Sequence, residues 1–173
     1  MTKMVDDTRA EPLGFARSLI EGWALVGGLL LLAVVAINAY SIIAGAVWGR
    51  PFPGDFELTE MGTAIAAFCF LPYCQMIGAN VSADIFTMKA SPRAIAVMGL
   101  VASLIALGFS GILVWRMSAG LIDYRRYEEF TGILQIPIWW AFVPVVISLC
   151  LLVVASLMTL SETTSAFKRT RKK

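Results

Sequence analysis

The chain has 173 residues, 58% of them hydrophobic and only 15% charged, with a mean hydropathy of +0.78. A soluble domain of that composition would leave too much apolar surface in water, so the bilayer must be its solvent. A net charge of +2 without a basic stripe excludes nucleic acid as a partner. The absence of histidine removes the usual haem ligand, proton shuttle and commonest metal ligand.

The charged residues sit almost entirely between four apolar runs, which predicts one all-α membrane domain. Residues 1–21 form a polar tail followed by a short interfacial helix. Pro12 suits its first turn, and Leu13, Ala16, Leu19 and Ile20 recur at helical spacing. The apolar run that follows is longer than the core of a secretory signal, so it is expected to stay as an anchor.

The transmembrane domain is expected over residues 22–162, with spans near 22–48, 57–80, 92–118 and 137–160. In the first span Asn38 and Ser41 are the polar members, and an asparagine there is expected to bond across to another helix. Gly45 and Gly49 form a small-xxx-small pair that suits close helix packing. The sequence from Gly49 to Asp55 holds two prolines and two glycines and reads as a tight turn.

The second span opens on Asp55, Glu57 and Glu60, where a helix start tolerates carboxylates. Pro72 lies near its middle and is expected to kink it. Ser91-Pro92 is the cap and first-turn signal of the third span, which carries an Ala102, Ala106, Ser110 ladder at i, i+4 spacing. An amphiphilic loop follows, and Ile136-Pro137-Ile138-Trp139-Trp140 opens the fourth span. Residues 163–173 form a basic tail. Cys69, Cys74 and Cys150 lie within apolar runs and read as packing residues.

With both termini in the cytoplasm, ten of the 14 Lys and Arg residues fall inside and four outside, a positive-inside bias. Trp48, Trp115, Trp139 and Trp140 then mark the outer interface and Trp23 the inner one. No span carries a carboxylate, arginine or histidine in its middle third. Transport sites, proton relays and redox centres each need such residues, so neither catalysis nor an independent transport site is expected. The small-residue faces serve either internal packing or a partner. The acidic cluster is either solvated or docks a soluble partner by complementary charge.

Two segments carry a resemblance. Glu57 and Glu60 are followed about twenty residues later by Asn80-Val81-Ser82-Ala83-Asp84, and Leu134-Gln135-Ile136-Pro137-Ile138-Trp139 opens the last span. In this order the chain resembles the small membrane subunit of tripartite ATP-independent periplasmic (TRAP) transporters, the DctQ-like family. The first segment is similar to that family's His-Ile-x-Val-Asp, with Asn80 where histidine is common.

The resemblance implies a scaffold for a large elevator-type subunit, which itself holds the substrate and sodium sites. A periplasmic protein would deliver the substrate, often an organic acid. It also implies that Arg50, Asp55, Glu57 and Glu60 face the periplasmic protein, and that Asn80, Asp84 and Arg93 order the cytoplasmic turn. No cofactor is expected in this chain, and membrane lipids are expected around it. The competing reading is a self-contained, homo-oligomeric tetraspan protein with an assembly or lipid-binding role.

Overall fold

A computed structural model describes the backbone of residues 3–78 and 92–171 and the side chains of residues 14–78 and 97–165. Four helices account for nearly all of it: α1 (Lys3–Trp48), α2 (Asp55–Met76), α3 (Pro92–Tyr127) and α4 (Trp139–Arg171). No strand occurs among the described residues, and the α3–α4 turn is closed by an isolated bridge between Phe130 and Pro137.

The separate interfacial helix expected at the N-terminus is replaced by one continuous 46-residue helix. Nothing between Leu13 and Trp48 breaks the backbone ladder, because glycines within an apolar run are tolerated where water cannot compete for the freed bonds. Pro12 therefore lies inside α1 rather than in its first turn. At 1.5 Å per residue α1 is about 69 Å long, roughly twice the hydrocarbon thickness.

Three helices are long and apolar enough to cross a membrane, over Gly14–Trp48, Val97–Tyr127 and Trp139–Ser165. The expectation of four such spans is not met by α2. Asp55, Glu57 and Glu60 load its start, and Tyr73 and Gln75 dilute its last turn. α3 begins at Pro92, where the missing N–H costs nothing. It runs on to Tyr127, past the apolar stretch, because Arg116 and Asp123 to Tyr127 include no breaker.

The helices pack as a row. α1 lies on α2, α2 on α4 and α4 on α3, while α1 touches α4 lightly; α3 has no other substantial neighbour among the described residues. Between α1 and α2 the close approach is made at Gly27 and Gly62. A Cβ on Gly27 would stand 2.6 Å from the Cys69 Cβ, and one on Gly62 would collide with Val34. Between α3 and α4, Leu113, Val114 and Met117 pack on Val145, Leu149 and Leu152, joined by Phe68 of α2. A row buries less than a closed bundle: only 17% of the apolar window of α1 and 11% of that of α3 is inside the protein.

Candidate functional site

Both described turns, 49–54 and 128–138, lie at one end of the row, and they are built mainly by side chains. Gly49 ends α1 at φ 66° and donates its N–H to the Gly45 carbonyl 3.0 Å away, a left-handed helix stop that suits glycine. A Cβ on Gly45 would meet Pro51 across the turn at van der Waals distance. Within the chain the Gly45/Gly49 pair thus shapes the corner. Ser41, fully inside α1, donates to the Asp55 carboxylate and accepts the Phe52 N–H at 3.0 Å. Gly54, at φ 84°, precedes α2, and Leu134 of the other turn lies where its side chain would be.

Glu57 joins the two turns. Its Oε1 accepts the Ile133 N–H at 2.6 Å and its Oε2 the Leu134 N–H at 2.9 Å. Successive backbone N–H groups of this kind form a concavity that binds an anion. The Leu134 N–H, chiefly, holds the Glu57 carboxyl below the usual carboxylate value; partial desolvation opposes it, and the Ile133 N–H adds to it. The turn is also tied from within. Thr131 donates its N–H to the Ile136 carbonyl and accepts the Ile136 N–H on Oγ1, both at 3.0 Å. Gln135, at φ 53°, donates its amide to the Thr131 and Gly132 carbonyls.

Of the four acidic-cluster and turn residues expected to face a partner, Asp55 and Glu57 are therefore engaged within the chain. Arg50 and Glu60 are exposed and form no ion pair among the described residues. Asn80 and Asp84 lie outside the described residues, and Arg93 is described only as part of the first turn of α3.

The Ala102, Ala106, Ser110 ladder is offset from the buried face. Ser110 is fully buried, Ala106 half-buried and Ala102 exposed, whereas Ser103 is buried and meets Thr163 of α4 at 3.3 Å. The face turned to α4 follows Gly99, Ser103, Ser110, Leu113 and Met117, a mixed three- and four-residue step. Strict i+4 spacing drifts off it.

Most polar side chains in the middle of the row are spent on one another, and the buried Ser156 hydroxyl is left without a partner among the described residues. Asn38 donates across to Thr59 at 2.6 Å and back to the Val34 carbonyl, the interhelical bond expected of a membrane asparagine. Trp23 donates its indole N–H to Ser148 at 2.8 Å, so this ring ties α1 to α4. Ser148 in turn donates to the Pro144 carbonyl and lies 3.7 Å from the Cys69 sulfur. Among the described residues, no His, Cys, Asp and Glu side chains gather into a group that could hold a metal.

The sequence profile of the DctQ component of tripartite ATP-independent periplasmic transporters matches residues 34–165. The chain belongs to the DctQ family. Comparison with individual curated proteins gave no match. As a DctQ protein it is a TRAP transporter component, a multi-pass protein of the inner membrane, and its family is one of transporters and not of enzymes. The matched region holds most of the contacts described above, from Val34 against Gly62 to Ser103 against Thr163. Trp23 and Gly27 contribute from outside it.

Proposed function

We propose that this DctQ chain is a non-catalytic scaffold subunit of a sodium-driven importer of an organic acid. The observation that carries the reading is the open row. Its apolar helix faces are largely unburied, while Trp23, Asn38, Thr59 and Ser148 in its interior pair within the chain and only the buried Ser156 hydroxyl is without a partner among the described residues. A helix row of this kind is completed by packing against another membrane protein, here the large TRAP subunit, which enlarges the stationary part of that subunit. Sodium and substrate would bind in the large subunit, and a periplasmic protein would deliver the acid.

In this reading α2 also crosses the bilayer. It runs beside α1 from the Ser41–Asp55 contact to the Gly27–Cys69 contact, and so occupies the same depth. The two turns face the periplasm and both termini the cytoplasm, as the positive-inside count favours. Arg50 and Glu60 are then the cluster members left to meet the periplasmic protein, and Asn80, Asp84 and Arg93 would order the cytoplasmic turn.

Purification of the tagged chain from its native membrane in mild detergent tests this. A stoichiometric partner with many membrane helices is the expected result. A monodisperse homo-oligomer without a second protein would instead establish a self-contained tetraspan assembly.

A further inference from the structure

At the end of the row that carries the N-terminus, a groove of about 440 Å³ opens between α1 and α2. It is lined by Glu21, Ala24, Leu25, Gly28, Phe70 and Tyr73. Its polarity is graded. Glu21 and Tyr73 are its members nearest the terminal end along their helices, and Leu25, Gly28 and Phe70 carry an apolar floor toward the middle of the row. Small residues keep it open: Ala24 is buried, and nothing lies within 4 Å of where a Gly28 Cβ would be. One turn before Glu21, the Arg17 Nε stands 3.3 Å from the Glu21 Oε1, and the two side chains are 64% and 50% exposed. An exposed i, i+4 pair contributes little to stability, so both charges remain available to a ligand.

We infer that this groove binds one zwitterionic phospholipid with a primary-amine headgroup, an ethanolamine phospholipid. Arg17 meets the phosphate, Glu21 the ammonium, and an acyl chain lies along Leu25, Gly28 and Phe70. The adjacent opposite charges select this headgroup. A net-anionic lipid would satisfy Arg17 but leave Glu21 facing a like charge. Tyr73 belongs at such a boundary, since its ring suits the chain region and its hydroxyl the headgroup. The inference goes beyond the scaffold reading and does not depend on which solute is carried.

The test is native mass spectrometry of the full chain, alone and with its co-purifying membrane subunit, titrated with dioleoyl-phosphatidylethanolamine or dioleoyl-phosphatidylglycerol. The wild type is expected to retain one ethanolamine lipid in preference to the glycerol lipid. Gly28→Leu, which fills the floor, is expected to lose it. Glu21→Lys, at an exposed position that cannot disturb the fold, should erase or invert the preference, a change of roughly fivefold to tenfold in the affinity ratio. Equal binding of both lipids by the wild type, or a preference unchanged in Glu21→Lys, overturns the assignment. So does Gly28→Leu releasing the membrane subunit while lipid binding stays the same, since the groove would then hold protein. Should Gly28→Leu fail to assemble, Glu21→Lys decides alone.

Discussion

A single carboxylate in the first turn of α2 holds two backbone N–H groups 76 and 77 residues further along the chain. Glutamine at position 57 could still accept one of them, but its NH₂ group would face the other donor. Glu57→Gln is therefore expected to loosen the α3–α4 turn, read as faster amide exchange over residues 131–136 with the helices unchanged. Unaltered exchange would remove Glu57 from that role. The pH dependence has a definite sign. The folded value is lowered from 4.5, so the latch is complete above that pH and is lost as pH falls from about 4.5 through the lowered folded value. The protection of the turn amides, taken relative to their intrinsic exchange rate at each pH, should be constant from neutral pH down to about 4.5 and fall only below that. At the other turn, Gly49 at φ 66° has open space around it, so a substitution meets backbone strain without a clash. Gly49→Ala should cost about 1–2 kcal/mol, measured by reversible unfolding in detergent. Neither role was fully legible beforehand. The acidic start of α2 was plain in the sequence, but the backbone groups it binds have no signature and lie in a turn whose shape tertiary contacts decide.

For each helix, existence was easier to read than facing. Long uncharged runs bounded by Gly49, Pro92 and the Pro137–Trp139 segment place the helices, because a bilayer demands satisfied backbones. Which side meets a neighbour is another matter, since helices apolar nearly all round carry little of the periodicity that marks a buried stripe. The Gly45/Gly49 pair and the Ala102 ladder were reasonable small-residue patterns, yet the close approaches fall at Gly27 and Gly62, beside Cys69 and Val34. Asn38 succeeded because a polar group in hydrocarbon must find a partner, whichever way the helix turns. The energies follow the same geometry. Gly62→Leu places a branched side chain against Val34 and should cost about 1–3 kcal/mol by overpacking. Ala102→Leu, on an exposed face, should change the unfolding free energy of the isolated chain by less than about 0.5 kcal/mol. Equal effects at the two sites would contradict the α1–α2 contact. Ser148→Ala removes the acceptor of Trp23; membrane hydrogen bonds of this kind average about 0.6 kcal/mol, so a modest loss is expected on the same measurement.

Across the whole molecule, the row leaves two kinds of surface, and they should fail differently when altered. The apolar faces of α1 and α3 present side chains such as Leu29, Leu32, Ile105 and Ile112 that are exposed among the described residues. The turn end presents Arg50 and Glu60 above a corner already held by Asp55 and Glu57. If Glu60 meets the periplasmic protein, Glu60→Lys should lower uptake in vesicles supplied with that protein and leave co-purification of the large subunit intact. Exposed charges that steer a partner act mainly through association rate, so the deficit should grow at low ionic strength and narrow as salt is raised. Glu57→Lys should also lower uptake, but by a different route. Its ammonium cannot accept the Ile133 and Leu134 N–H groups, so amide exchange in the turn should rise, and added salt should not restore transport. Measuring uptake against salt for both variants, with exchange over residues 131–136, separates docking from folding. A Glu60→Lys variant with wild-type uptake at low salt would leave the acidic start of α2 as a structural element alone.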